Sequence, residues 1–464
     1  MKLLAILLVL MIACASADLY VYHPRKLRNE IDQYNGKIKS SLANFGLVHY
    51  GHSIIGRVWY DDENTDGCKD FTFEVDGTGD PDADPSPIVL IQRGGCPFTT
   101  KVRNVEHAGG RLAIVIDDKD NEDPENIIMV DDGSGNGIRI PAILIGKTDG
   151  RKILKYMEDD EGAHTDIQVA LMANFNIVHP DNRVEWDFWY SSSNEKALEF
   201  LRSYRENQDK LGDKTLFSPH LSFWSCKECD RSMKRDHWFG DGKYCAVEQA
   251  NSKLSGQEIL EEDLRQKCLF DKLTQKKKVG VWWDYIEIVL SVCYQGINKD
   301  CSKQAHTELG LDFKTTQDCV DDSFKDSNDR TNSKNYLFDE ELEYEGKYGP
   351  HFFPAAVINN VTYRGTLEPE NFFSAICEGF KDKPKQCGVK SSSTTIIEGI
   401  NTSTLLLIIM ALVIVNVGII VCYKRYAKKE MDDKIEVHIN SAVSQYFALQ
   451  DKSSTDRTTR PLVH

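Results

Sequence analysis

Apolar positions along this chain follow three rhythms, and each predicts a different kind of element. The longest run, residues 405–422, reads LLLIIMALVIVNVGIIVC and is broken only by Asn416. At ~1.5 Å per residue it matches a hydrocarbon core of ~30 Å, which predicts a membrane-spanning helix over 404–423. Lys424, Arg425, Lys428 and Lys429 follow it, and no Lys or Arg lies between Ser391 and Thr404. That asymmetry places the C-terminus in the cytoplasm. A shorter run, residues 3–13, follows Lys2 and precedes Ala15-Ser16-Ala17, the pattern of a secretory signal over 1–17. The rest is a mosaic of short elements. Leu19-Tyr20-Val21-Tyr22 and residues 54–60 have the β-branched and aromatic content of strands. Residues 88–91, 112–116 and 141–145 are continuously apolar, as strands buried on both faces must be. Val102, Val105 and Ala108 fall on one helical face, with Thr99 as its expected cap and Gly109-Gly110 as its end. Strand, helix and strand in that order predict a parallel crossover, and 149–156 predicts a further helix. Beyond it come a helix at 198–204, a strand at 221–224 and helical segments. A hairpin then turns at Asn359-Asn360. From Lys424 onward the sequence is polar and aperiodic.

Charge and cysteine usage narrow the compartment. The formal charge is −16. Removing the tail's two net positive charges and the signal's one leaves the part before the span near −19. Such a surface argues against nucleic acid as a partner. Of 13 cysteines, Cys14 falls in the signal and Cys422 at the membrane edge. The remaining eleven suit an oxidising lumen, and an odd number leaves at least one outside intramolecular pairs. Cys68 and Cys96 stand by themselves in the first part and should pair with each other. The other nine, Cys226, Cys229, Cys245, Cys268, Cys293, Cys301, Cys319, Cys377 and Cys387, allow too many pairings to choose among. The glycine-rich acidic stretches at 76–84 and 131–137 lack the ligand ladder of a calcium loop and read as solvated turns, so no metal or cofactor is expected. Asn360 and Asn401 head glycosylation sequons, with Asn401 close to the bilayer.

At residues 93–101, RGGCPFTTK, at Ala108-Gly109-Gly110 and at residues 140–145, IPAILI, the chain resembles the protease-associated (PA) domain. That resemblance implies a non-catalytic module, over 18–176, that binds peptides. The same stretch holds no nucleophile elbow and no paired histidine ligands. Arg93, beside Gly94 and Gly95, is the charge placed to meet a peptide backbone, or else to be tied up by carboxylates of its own domain. In the next part, 177–390, Cys226-Lys227-Glu228-Cys229 after an apolar run and an aromatic-proline entry into a hairpin are thioredoxin-type features. The cysteine-bearing helices between them have the form of an insertion. The expected fold is therefore α/β and α+β: a β-rich PA domain with a parallel β-α-β unit, a disulfide-rich thioredoxin-like domain, a stalk over 391–403, and one span.

KYCAVE, DLRQKC, VWWDYIEIVLSVC, FFPAAVINNVTYRGTL and AICEGF further resemble the central domain of the vacuolar sorting receptors. ANFGLVHYG and HPDNRVEWDFW resemble their PA region and its junction. The plant members' EGF-like repeats have no counterpart between Cys387 and the span, so calcium dependence tied to them is not carried over. The resemblance implies a non-enzymatic type I receptor of Golgi, endosomal and vacuolar membranes, an arrangement compatible with homodimers. It would bind sorting peptides of soluble hydrolases through Arg93, Gly94, Gly95 and the Asn44-Phe45-Gly46 loop. Tyr446 and Leu449, in the tail over 424–464, form a Tyr-x-x-Φ signal that an adaptor sheet edge of the clathrin coat can take. His49 and His52, near the loop, are of the one residue type whose charge ordinarily changes between neutral and endosomal pH, which would suit acidic release of cargo. A membrane-anchored thiol oxidoreductase using Cys226 and Cys229 is the rival reading, against which the surrounding cysteines favour structural disulfides.

Overall fold

Continuous apolar runs do form the centre of the first sheet. The computed structural model describes residues 17–388, apart from 72–85, 121–122, 159–168, 227–236, 248–252 and 349–352. The predicted signal up to residue 16, Cys229, the stretch at 76–84, the stalk, Asn401, the span and the Tyr446–Leu449 motif lie outside the described residues, whereas Ala17, the last residue of the predicted signal, is buried in the core. The first sheet is built from β1 (Asp18–His23), α1 (Arg25–Ile31), β2 (Lys37–Ile38), β3 (Ser40–Leu42), β4 (Ser53–Trp59), β5 (Ile88–Gln92), α2 (Phe98–His107), β6 (Leu112–Ile116), β7 (Ala142–Ile145), α3 (Lys147–Glu158) and β8 (Ala170–Asn174). Its strand order is β2-β1-β8-β4-β5-β6-β7-β3. β4 to β7 run parallel, the predicted β5-α2-β6 crossover included. Each central strand feeds two cores. Ile88, Leu90, Ile114 and Ile143 point to one, while Val89, Ile91, Val115 and Leu144 meet Val102 and Val105 of α2 in the other.

Thr99 does not cap α2. Pro97 occupies the cap position, and the Thr99 hydroxyl, buried on the helix, donates to the Asp132 carboxylate at 2.9 Å. A proline at the cap fixes the entry angle and leaves the threonine free to bind sideways.

The second sheet follows from β9 (Val184–Tyr190), α4 (Glu195–Leu211) and β10 (Thr215–Leu221). After them come the short pair β11 (Trp238–Phe239) and β12 (Tyr244–Cys245), then α5 (Gly256–Gln275), α6 (Gly280–Val292), α7 (Lys299–Glu308), α8 (Phe313–Asp322) and α9 (Tyr336–Tyr348). β13 (Ala355–Ile358), β14 (Val361–Thr362) and α10 (Pro369–Glu378) complete it. The order is β10-β9-β13-β14, with β10 parallel and β13 antiparallel to the central β9. The hairpin is as expected: Asn359 and Asn360 take φ of +47° and +66°, and the Phe353–Pro354 bond is cis. The strand expected at 221–224 instead runs Thr215–Leu221. Pro219 is tolerated there because β10 is an edge strand, paired with β9 alone. Cys245 lies in β12, not in a helix.

Four disulfides are set among the described residues: Cys68–Cys96, Cys268–Cys319, Cys293–Cys301 and Cys377–Cys387. The second fastens α5 to α8 and the third α6 to α7. Cys226 is also disulfide-bonded. Cys245 is a buried thiol donating to the Gly242 carbonyl at 3.3 Å. Trp282 and Trp283 are core residues, packed with Phe217 and Trp186. Among the described residues, no helix is long and apolar enough to cross a membrane.

Candidate functional site

The turn after β5 is shaped by two glycines and one disulfide. Gly94 (φ +106°) is exposed, with nothing near the position a Cβ would take. At Gly95 (φ +80°) a Cβ would meet the Asp66 carboxylate and lie 2.9 Å from the Cys68 sulfur, so only glycine lets the turn approach the 61–70 segment. Cys96–Cys68 then pins it. Beneath the disulfide, Lys101 is fully buried, bonded through Nζ to the Asp66 carbonyl and 3.3 Å from Cys68 Sγ. Burial pushes its pKa down, with Asp66 opposing.

Arg93 opens this turn. Its Nη1 donates to Asp117 Oδ1 at 2.7 Å, its Nε lies 3.6 Å from Asp118, and the guanidinium sits 5.9 Å from the centre of the Phe98 ring. The side chain keeps 28% exposure, whereas that of Asp117 has 1%. Arg93 is therefore anchored by carboxylates of its own fold and still reaches solvent. Next to it, α2 starts without a side-chain cap. A guanidinium, open glycine backbone and a helix start together offer donors to a carbonyl or carboxylate of an extended chain.

The Asn44-Phe45-Gly46 bend is placed differently. Phe45 is buried in the core under α2, and the Gly46 carbonyl accepts a hydrogen bond from Thr366 N at 3.0 Å. Asn44 is half-buried, its N–H bonded to Met129 O and its Oδ1 accepting from Asp131 N at 2.9 Å. The neighbouring Asp132 takes the Thr99 hydroxyl, so the 129–134 segment ties the bend to the start of α2. Ser134 first, then Thr99, hold the Asp132 carboxyl below its usual range through hydrogen bonds. His49 and His52 are exposed, their rings 6.5 Å apart and edge to face. Partial burial, then the charge of His52, lowers the pKa of His49. Sequence reasoning missed Thr366 and Gly365 as neighbours of the bend. Backbone hydrogen bonds from 320 residues away leave no pattern to find.

The second sheet shows no thiol at the helix start where one would be activated. Central β9 runs into Ser191-Ser192-Ser193-Asn194, and Asn194 caps α4 through Ala197 N. Cys226 lies five residues past the end of β10. A reactive pair gains its low pKa at a helix N-terminus, a position these serines occupy. Asn360 is exposed at the hairpin turn, while Asn359 is buried. No group of three metal-ligating side chains occurs among the described residues.

Among protein families, residues 54–153 match the PA domain and residues 184–377 match the vacuolar sorting receptor thioredoxin-like domain. Vacuolar-sorting receptor 1 of Pisum sativum is 31% identical over 376 residues, covering 76% of this chain and 58% of that protein. Vacuolar-sorting receptor 4 of Arabidopsis thaliana is 29% identical over 383 residues, with the same coverage. The chain thus spans 58% of the length of these relatives. A rice receptor homology region, transmembrane domain- and RING domain-containing protein is 34% identical over 133 residues, 29% of this chain and 22% of that one. Among solved structures, DsbA of Mycobacterium tuberculosis is 13% identical with a TM-score of 0.29, covering 45% of this chain and 90% of that one, a likeness that carries no argument.

Proposed function

We propose that this chain, related over three quarters of its length to the vacuolar-sorting receptors, is itself a single-span cargo receptor. In this reading the part before residue 390 faces a lumen of the Golgi, endosomes or vacuole and captures soluble hydrolases through a short extended peptide. The span over 404–423 holds it in the membrane, and Tyr446 and Leu449 engage a clathrin adaptor. The observation that carries the proposal is the state of Arg93. Two carboxylates fix its position without removing it from solvent, at the end of a buried strand and beside the open Gly94-Gly95 backbone. A side chain used only to neutralise Asp117 has no need of that exposure. The Ser191–Asn194 start of α4, where an activated thiol would sit, favours a receptor over a thiol oxidoreductase.

Capture tests it. The full chain in detergent, immobilised through its C-terminus, is exposed to organelle lumen contents at neutral pH and washed at mildly acidic pH. Soluble hydrolases should elute, and an Arg93→Ala column should retain none. Equal retention on both columns, or adducts released by reductant alone, would defeat the reading.

A further inference from the structure

The bend at Asn44–Gly46 belongs to the first sheet by sequence, yet much of its hydrogen bonding comes from the second. Ala43 N bonds to Ala142 O on the β7 side, and Ala43 O accepts from Gly365 N at 3.2 Å. Gly46 O accepts from Thr366 N at 3.0 Å and from the Thr366 hydroxyl at 3.4 Å. Tyr50 closes the joint. Its buried hydroxyl accepts from Arg364 N at 2.7 Å and donates to Arg364 O at 3.2 Å, and its ring lies 5.3 Å from that of Tyr363. Gly365 has φ of +94°, and a Cβ there would fall 2.9 Å from Gly46 O and 3.0 Å from Val48 Cγ2. The segment after β14 is thus moulded to the bend at backbone resolution.

We infer that Gly365 and Thr366 are positioning residues for the peptide site. They fix the bend from outside its own domain, and the effect reaches the start of α2 through the Asn44–Asp131 and Thr99–Asp132 hydrogen bonds. This rests on the receptor reading above. Its content is that cargo affinity is a property of the joint between the two domains. By linkage, whatever opens the joint weakens the peptide complex, and bound peptide holds the joint closed by the same factor.

The probe is a fluorescein-labelled heptapeptide selected on the wild-type chain from a random library and counter-selected on Arg93→Ala. Fluorescence polarisation gives Kd and koff. Hydrogen exchange gives the protection of the Thr366 amide and of residues 43–48. Gly365→Ala pushes directly on Gly46 O, and Tyr50→Phe removes both hydroxyl bonds at the joint without adding bulk. Each is expected to raise Kd about tenfold, mainly through koff, and to speed exchange at Thr366. Tyr285→Phe is the control: it cuts the buried bonds of Tyr285, on α6, to Glu262 of α5 and Ser302 of α7, none of which bonds to the bend or to residues 363–366 in the contacts described above. It should lower the unfolding midpoint yet leave Kd within about twofold. If Gly365→Ala and Tyr50→Phe both bind within about twofold of wild type, the inference is wrong. It also falls if the control weakens binding as much as they do. If no library peptide binds wild type in an Arg93-dependent way, the receptor reading itself fails and takes this inference with it.

Discussion

Replacing Arg93 does two things at once, and the structure lets them be separated. Arg93→Ala removes the exposed guanidinium proposed to meet cargo, and it also strips Asp117 of its countercharge. Asp117 has 1% side-chain exposure. Its Oδ1 retains a hydrogen bond from Asp118 N at 2.9 Å, while its Oδ2 is buried with no partner among the described residues. Two unit charges about 4 Å apart attract by about 4 kcal/mol at an effective dielectric constant near 20. The arginine end is 28% exposed, so solvent screens part of that, and about 1–3 kcal/mol of lost stability is expected. Asp117→Asn in the same chain removes the orphaned charge at nearly constant shape. The double variant should therefore recover to within about 1 kcal/mol of wild type. Urea unfolding measures the stability arm, and hydrolase capture at neutral pH measures the other. Capture should be absent from the single and the double variant alike. Should the double variant regain capture, Arg93 acts only by neutralising Asp117 and the binding role assigned to it is refuted.

Three further outcomes follow from buried groups. Asp263 is fully buried and bonded to Ser192 N at 2.6 Å, and burial pushes its pKa up to about 7. In the unfolded chain it ionises near ~3.9, so its stabilising effect is full in acid and declines as pH rises toward about 7. Wild type should gain about 2 kcal/mol on Asp263→Asn between pH 7 and pH 5, and a pH-independent difference in unfolding free energy would contradict this. Asn359 accepts from Glu185 N and donates to Val178 O and Gly379 O at a positive φ, so Asn359→Ala should cost about 2–4 kcal/mol in denaturant unfolding. Asn359→Gly should cost less because it keeps the backbone unstrained. Removing Cys268–Cys319, which closes a separation of 51 residues between α5 and α8, should cost about 2–5 kcal/mol, read as a lower urea midpoint than wild type under non-reducing conditions.

Legibility in the sequence tracked how local the cause was. β5, β6 and β7 could be read because burial on both faces leaves no polar positions, and the Asn359-Asn360 turn because positive φ selects its residues. β9 has alternation in Val184, Trp186 and Phe188, but Glu185 and Asp187 between them disguise a central strand as a polar junction. β10 was displaced because Pro219 looks like a breaker until the strand is seen at an edge. The disulfide Cys68–Cys96 followed from simple isolation, whereas Cys268–Cys319 needed the packing of two helices. At the site, Arg93 and its glycines stood out locally. Asp117, Asp118 and above all Thr366 act from other elements, and the last does so through its main chain, which the identity of a residue barely encodes.

The order of the first sheet has a consequence for how anything can dock on it. β2 and β3 are its two outer strands, yet only Lys39 separates them in sequence. Laid flat, eight strands at ~4.8 Å spacing would hold those edges ~34 Å apart, while the two Cα steps from Ile38 to Ser40 reach ~7.6 Å at most. The sheet must therefore curl until its margins meet. Among the described residues the outer strands are short, two residues in β2 and three in β3, so they offer an incoming peptide little ladder to extend. For the proposed receptor, that leaves the ends of the strands, where the chain turns, and Arg93 stands at one such end.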